Sequence, residues 1–314
     1  LHMAINRMAG ITRAVAMPDA ASTIFGGQGA VISLAVNGPA VMRPRAFQYM
    51  EMGENGARLA GGSRPAAWAQ LANMLAEAQR LAANPAAFDR GQDSGALAKR
   101  LDAEALAPVI DGRQPLLIHA DRASDISEVL KLKARYPAMR TVLVGAREGW
   151  LVAAEIARAG VPVITHSLYD LPDDFETLAS SRNNLGHLQA AGVTVALGAL
   201  GGIGGTTPVN LPSYAGNAVA QGSVPGGKGL TRGQALAAIT SNPARIFGLG
   251  DTGALEAGKR ADIVLWDGDP LELASTPVMV WIDGAAQPMT SRQTELANRY
   301  KALGRTDLPL QYPR

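Results

Sequence analysis

Short apolar segments alternate with amphipathic segments between residues 115 and 197, and this alternation limits the fold more than any other feature of the chain. The pattern predicts strands at 115–119, 141–144, 162–165 and 193–197, separated by helices at 123–135, 150–159 and 183–191. Short strands that alternate with helices form parallel sheets whose two faces are both covered. The sequence therefore predicts an α/β fold built from consecutive strand and helix units.

The residues before 115 are predicted to form strands at 11–16 and 30–34, followed by helices at 45–59, 65–82 and 97–110. In the second of these helices, Trp68, Leu71 and Leu75 recur at three- and four-residue steps. Apolar residues at this spacing share one helix face, which we expect to pack on the core. After the sheet region, 292–300 is predicted as a helix and 308–313 as an extended tail.

Composition narrows the classes of function. With 314 residues, the chain is long enough for a barrel of about 250 residues with an appendage. The net charge of +2 is spread without a basic run, which argues against a nucleic-acid partner. The absence of cysteine excludes disulfides, thiolate metal ligands and a cysteine nucleophile. No apolar run approaches the roughly 20 residues of a membrane span, so we expect a soluble protein, either cytoplasmic or periplasmic.

The chain begins at Leu1 without an initiator methionine, and residues 1–8 already have the character of a helix interior. We therefore expect a further N-terminal segment to precede Leu1. Any targeting signal would lie in that segment.

The C-terminal third contains several short motifs in a fixed order. Asn242-Pro243-Ala244 is followed by Gly-x-Leu-x-x-Gly-Lys-x-Ala-Asp-Ile-Val from Gly253, by Asp-Gly-Asp-Pro-Leu from Asp267, and by Ile282-Asp283-Gly284. This series resembles the C-terminal signature of the amidohydrolase superfamily and is most similar to its imidazolonepropionase-like branch. The resemblance extends from Gly10 to about Gly284. None of the motif residues carries the chemistry of that family, so the signature indicates fold and lineage.

The resemblance implies a metal-dependent (β/α)8 TIM-type barrel with a C-terminal contribution to a small β-sandwich. Because residues 11–16 resemble the second barrel strand, the first strand is expected to be missing from this sequence. The corresponding domains are a barrel at 1–247, sandwich strands at 248–290, and a C-terminal helix and tail at 291–314. For function, the resemblance implies hydrolysis of non-peptide C–N bonds in a cyclic amide or dipeptide-like small molecule by metal-activated water.

The candidate site residues lie where predicted strands end, because active sites of such barrels form there. His119 follows Leu116-Leu117-Ile118, and the segment IHADRASDI resembles the strand in which the family places a metal-binding histidine. It is the candidate ligand for a divalent metal, with zinc the first choice. His166, Asp121 and Arg122 are candidate substrate-binding residues. For His166, a purely structural hydrogen bond to the following loop is the alternative.

Two departures from the family pattern prevent assignment of a complete catalytic set. Gly145 stands where related sequences have a metal-binding histidine, and Gly198, Ala199 and Leu200 stand where they have the catalytic aspartate. Carboxylates near other strand ends could substitute, namely those of Asp19, Asp121, Glu148 and Asp170. The alternative function is a catalytically degenerate barrel that binds a small molecule or a protein partner without metal.

Two further points stay open at the level of sequence. A dinucleotide site in the glycine run 198–205 is disfavoured, because the G-x-G-x-x-G motif would need glycine where the chain has Thr207. The extended tail at 308–313 would pack either on the barrel or on another subunit of a homo-oligomer.

Overall fold

The computed structural model describes residues 2–86, 100–200 and 207–301. The strands are β1 (Arg13–Ala16), β2 (Phe25–Ser33), β3 (Val41–Glu51), β4 (Leu116–Ala120), β5 (Thr141–Gly145), β6 (Val163–Thr165), β7 (Val195–Leu197), β8 (Ile263–Trp266), β9 (Pro277–Ile282) and β10 (Ala285–Ala286). The α-helices are α1 (His2–Met8), α2 (Gly53–Leu59), α3 (Arg64–Ala83), α4 (Arg100–Ile110), α5 (Ala123–Arg135), α6 (Ala153–Arg158), α7 (Asn184–Ala190), α8 (Leu211–Ala220), α9 (Arg232–Ile239), α10 (Ser241–Ile246) and α11 (Arg292–Tyr300). Short 3₁₀ helices lie at Gly149–Val152, Thr207–Asn210 and Gln221–Ser223.

A seven-stranded sheet in the order β1 to β7 forms the centre of the described structure. Strands β3 to β7 run parallel to one another, with helices in the connections. This arrangement confirms the predicted α/β class. It also places the carboxyl ends of five strands along one edge of the sheet and their amino ends along the other.

The first part of the sheet differs from the expectation. The assignment of 11–16 to a parallel barrel strand is wrong, because β1 pairs antiparallel with β2 and β2 antiparallel with β3. The helix predicted over 45–59 is wrong in its first half, since β3 extends to Glu51 and only Gly53–Leu59 is helical. Residues 46–51 are buried, and a short, mostly apolar run does not by itself distinguish a strand from a helix.

The sheet has an apolar core on each face. Alternate residues of the parallel strands, such as Leu116, Ile118 and Leu143, pack against helices that include α3 and α4 in the larger core. The residues between them, such as Leu117 and Val144, face a second core. This period of two continues past the last apolar residue of β4, so His119 lies on the same face as Leu117.

Local sequence explains where several helices begin. Ser63 caps α3 by accepting a hydrogen bond from the backbone N–H of Ala66 at 3.2 Å. Thr231 and Gln234 form a capping box at the start of α9. The Asn242-Pro243 motif lies in the first turn of helix α10. The side-chain amide of Asn242 donates to the backbone oxygen of Val195 at 2.8 Å. That bond ties the signature segment to β7.

A separate three-stranded antiparallel sheet, β10-β9-β8, follows the parallel strands. Its buried residues Val280 and Ile282 share a small core with Leu34, which follows β2. Arg13 of β1 crosses to this sheet and donates to both carboxylate oxygens of Asp262, at 2.6 and 3.1 Å, and to Asp283 at 2.8 Å. Both aspartates belong to the C-terminal signature, so these signature residues hold two sheets together.

Several predictions made from sequence fall outside the described residues. They concern the start of the helix at 97–110, the glycine run after Leu200 and the tail at 308–313. The domain division after residue 247 stays a prediction. None of the described helices combines the length and the apolar character that crossing a membrane requires.

Candidate active site at the carboxyl edge of the sheet

The centre of the candidate site is His119 at the end of β4. Parallel pairing places it directly beside Glu51, the last residue of β3. The ring nitrogen Nδ1 of His119 lies 2.7 Å from Oε1 of Glu51. The other carboxylate oxygen of Glu51 accepts a hydrogen bond from the hydroxyl of Tyr49 at 2.6 Å. Two oxygens of one buried carboxylate thus fix the histidine ring and the tyrosine.

Asp121 approaches the other nitrogen of the same ring. Its Oδ2 lies 3.5 Å from Nε2 of His119, and its Oδ1 accepts from the backbone N–H of Arg147 at 3.1 Å. The approach depends on Gly145, the last residue of β5. A Cβ at that position would lie 2.4 Å from Oδ1 of Asp121 and 2.8 Å from Nε2 of His119. Gly145 also has a φ of +85°, which favours glycine.

The two carboxylates control the charge of His119. Burial disfavours the imidazolium, but the hydrogen bond to Glu51 and the negative charges of Asp121 and Glu51 outweigh it and raise the pKa of His119 to about 9. Although burial opposes its ionisation, Glu51 has a lowered pKa because it hydrogen-bonds His119 and Tyr49. Burial raises the pKa of Asp121, and the positive charges of His119 and Arg147 only partly offset this. At neutral pH the ring is therefore a cation held between two carboxyl groups.

Arg147 links this centre to a group of aromatic rings. Its guanidinium lies 3.8 Å from the centroid of the Tyr169 ring, and its Nε lies 3.5 Å from Oδ2 of Asp121. It also contacts the carboxylate of Asp173. The ring of His166 lies 5.2 Å from that of Tyr169 and 4.4 Å from that of Tyr214. A partly apolar cluster of mutually tilted rings therefore adjoins the charged centre.

Two glutamates hold the loops around the site. Glu148 accepts hydrogen bonds from the backbone N–H groups of Ala123 at 3.0 Å and Ala179 at 2.9 Å. Glu176 accepts from the backbone N–H of Glu54 at 2.6 Å and from the guanidinium of Arg64 at 3.0 Å. Burial raises the pKa of Glu176. These bonds anchor the 170–180 segment across the ends of the strands.

The described residues around His119 supply few ligands for a divalent metal. His119 Nε2 and Asp121 Oδ2 are two suitable atoms, but a catalytic zinc site needs about three protein ligands. Across the described ranges, no cluster of three or more histidine, cysteine, aspartate or glutamate side chains could hold an ion. The Arg147 guanidinium also faces the same Asp121 oxygen. These residues by themselves therefore do not fit a zinc ion, and the role of His119 as a metal ligand stays a prediction.

The other residues expected from sequence lie at the same edge. Asp121 joins His119, and His166 lies among the aromatic rings, where its Nδ1 accepts from the backbone N–H of Leu168 at 3.1 Å. The alternative in which His166 has a purely structural role requires this bond. Burial and the positive charge of Arg147 lower the pKa of His166. Arg122 is exposed in the position that precedes α5. Substrate binding by His166, Asp121 and Arg122 stays a prediction.

Reasoning from sequence missed Glu51, Tyr49 and Arg147. Glu51 was hidden because residues 45–59 were assigned to a helix, which removed its place at a strand end. The signal that the sequence offered was the mostly apolar run 46–50, which is followed directly by an acidic residue. Arg147 follows β5 by two residues, so the rule that polar residues after parallel strands meet at one edge would have included it. Leu200, one of the three residues that the resemblance placed at the family's aspartate position, packs against the apolar core that includes Leu117 and Val144.

Known proteins resemble this chain in fold and in sequence. A solved structure of an amidohydrolase from Thermotoga maritima MSB8 superposes with a TM-score of 0.78 at 23% identity, covering 91% of this chain and 74% of that one, and so shows a shared fold. A stretch of 60 residues is 52% identical to amidohydrolase tasK from Hapsidospora irregularis, which is 19% of this chain and 6% of that protein. Residues 45–286 match the model of the Amidohydrolase family. Because this match covers most of the sequence, the chain belongs to the amidohydrolase family.

Proposed function

We propose that this chain forms the catalytic part of a hydrolase that cleaves C–N bonds in small molecules. One observation carries the proposal: His119 is held between Glu51 and Asp121 at the carboxyl edge of a parallel sheet. The family match supports the choice of reaction. A cyclic amide or dipeptide-like compound is the proposed substrate, as the resemblance to the imidazolonepropionase-like branch implies.

The geometry suits proton transfer between His119 and Asp121. Water attacks the carbonyl carbon of the substrate and gives its proton to Asp121, whose raised pKa favours accepting it. The C–N bond breaks as the imidazolium of His119 gives its Nε2 proton to the leaving nitrogen. Asp121 then returns a proton to Nε2 across the 3.5 Å gap and restores the starting state. Glu51 keeps the ring oriented throughout through its bond to Nδ1.

A divalent metal, expected from the family, would polarise the carbonyl and lower the pKa of a bound water. Among the described residues, His119 and Asp121 would supply two ligands, and the ion would need further donors.

We also propose that β3 to β7 belong to a (β/α)8 barrel and that β8 to β10 belong to a β-sandwich. The shared core beside Leu34 supports the second of these.

A second candidate function is small-molecule binding without hydrolysis. The contact between Arg147 and Asp121 favours it, because a guanidinium already neutralises the carboxylate that hydrolysis requires. The cluster of Tyr169, His166 and Tyr214 rings would provide the binding face.

The test compares the wild type with His119→Gln and with a control, His187→Gln, whose ring packs on Trp150 at a centroid distance of 5.5 Å on α7. Amine release from a panel of N-acyl amino acids, dipeptides and lactams is measured with and without added zinc, beside elemental analysis. Turnover that is lost in His119→Gln and retained in His187→Gln supports hydrolysis at this site. About one equivalent of zinc that disappears only in His119→Gln would make His119 a metal ligand and overturn its proton-transfer role. Saturable binding of the same compounds without amine release would select the second candidate.

A further inference from the structure

A cleft of about 310 Å³ opens at the opposite edge of the same sheet, where β4 to β7 begin. Its walls come from the loops that lead into these strands, including Pro115, Thr141, Pro162 and Thr194. The parallel topology separates this edge from His119 by the length of the strands. The cleft is therefore distinct from the candidate active site.

Three cationic side chains line the cleft: Lys133 of α5, Arg140 before β5, and Arg245 of α10. The described residues that line it include no aspartate or glutamate. None of these three cations forms an ion pair with a carboxylate in the described part of the chain. The other arginine and lysine pairs of the structure show that carboxylates are available elsewhere on its surface, as for Lys131 with Glu128.

The cations also have structural contacts, which occupy only part of their donor capacity. Arg140 donates from Nη2 to the backbone oxygen of Ile246 at 3.1 Å, and Arg245 donates to the side chain of Asn242 at 2.7 Å. Lys133 donates to the backbone oxygens of Pro137 and Met139. Each guanidinium carries five N–H donors, and neutral acceptors do not cancel its charge.

Arg43 increases the positive charge beside the cleft. Its guanidinium donates to the backbone oxygen of Phe247. Nη1 of Arg43 and Nη2 of Arg140 approach the same point at Gly248, at 4.0 and 3.9 Å from where a Cβ would lie. Two arginines therefore converge just after α10 without a carboxylate between them in the described residues.

Thr141 provides an independent observation. The residue lines the cleft and is buried, with 3% of its surface exposed. Its hydroxyl Oγ1 is shielded from solvent and has no hydrogen-bond partner among the described residues. A buried hydroxyl without a partner is unfavourable, and a ligand bound in the cleft would supply that partner.

We propose that this cleft is a binding site for a phosphate group, either free or carried by a small metabolite. Arg140, Arg245 and Lys133 would supply the charge, and the hydroxyl of Thr141 would complete the donor set through a rotation about its Cα–Cβ bond. Phosphate is favoured because arginine forks match its tetrahedral oxygens with paired N–H bonds. This site does not depend on the proposed hydrolytic function.

The experiment is isothermal titration of the chain with inorganic phosphate, and separately with glycerol 3-phosphate, at constant ionic strength set by sodium chloride. Saturable binding to the wild type is expected, weakened roughly tenfold in Arg140→Gln. The control Lys131→Gln removes a cation from the same helix as Lys133 but from an exposed ion pair outside the cleft, and it should bind as the wild type does. Tighter binding of glycerol 3-phosphate than of phosphate would identify an ester as the ligand, and equal or weaker binding would identify the free ion.

Thr141→Val separates ligand binding from a structural role. Without phosphate the variant should be as stable as the wild type or more so, because valine fills the same volume without the buried hydroxyl. With phosphate, the rise in melting temperature should be several-fold smaller than that of the wild type. Absence of saturable binding to the wild type, or equal weakening in Arg140→Gln and Lys131→Gln, would overturn the proposal.

Discussion

Replacing Glu51 by Gln tests the electrostatics of the candidate site most directly. The substitution keeps the shape of the side chain and removes the charge that lies 2.7 Å from the His119 ring. The pKa of His119 is about 9, against an ordinary value of 6.5. That difference corresponds to about 3 kcal/mol of preference for the charged ring. Glu51 stabilises the charged ring through a hydrogen bond and through its negative charge. Glu51→Gln should therefore lower the pKa of His119 by about 1–2 units.

The same shift fixes how stability depends on pH. Since the pKa of His119 in the folded chain is raised above its unfolded value, the stabilising contribution is complete below about pH 6.5. It is lost as pH rises through about 9. Glu51→Gln should therefore be less stable than the wild type by about 1–3 kcal/mol at pH 7, and the difference should shrink toward pH 10.

NMR titration of the histidine ring signals measures the pKa, and urea unfolding at several pH values measures the stability. The chain has four histidines, so comparison with His119→Gln assigns the signal. Glu128→Gln is the control, because that glutamate forms an exposed pair with Lys131 and should not change the titration of His119. A His119 pKa that is unchanged in Glu51→Gln, or a stability difference that grows toward high pH, would refute the reasoning.

Three further predictions concern stability and are measured by urea unfolding. Gly145→Ala should lower the free energy of unfolding by about 2–4 kcal/mol, because it adds a clash with Asp121 to the strain of a positive φ. The control Gly160→Ala, at a φ of +64° with open space around it, should lower it by only about 1 kcal/mol. Equal losses in the two variants would contradict the packing argument. Arg13→Ala should cost about 3 kcal/mol, because it leaves the largely buried Asp262 without its guanidinium, and a loss below 1 kcal/mol would mean that the two sheets are joined by apolar packing alone. Glu148→Ala should cost about 2–3 kcal/mol by freeing two backbone N–H groups, and Glu148→Gln should recover part of the loss; a loss equal in the two variants would contradict this account.

The sequence was sufficient to predict the repeating part of the fold. Helix α5 has the predicted bounds, and β4 to β7 lie within two residues of their predicted positions. These elements are predictable because each combines a local period with clear turn residues at its ends. The Asn242-Pro243 motif lies in the first turn of α10, where proline loses no useful hydrogen bond.

The first strands were harder to predict because their structure depends on distant partners. Residues 46–50 have no period of two, since β3 is buried on both faces between β2 and β4. Only tertiary pairing distinguishes such a run from a buried helix. The error also had a chemical consequence, because Glu51 becomes a site residue only when β3 is a strand that ends beside His119.

Gly145 leaves the space that the pairing of His119 with Asp121 requires. The sequence resemblance predicted a histidine at the position of Gly145, but the space for any Cβ there is taken by Oδ1 of Asp121 and Nε2 of His119. The same approach brings Asp121 within 3.5 Å of the ring and lets it accept the Arg147 amide. A histidine at position 145 would therefore push Asp121 or His119 away before it could serve as a metal ligand. The interaction between His119 and two carboxylates therefore fills the space beside residue 145.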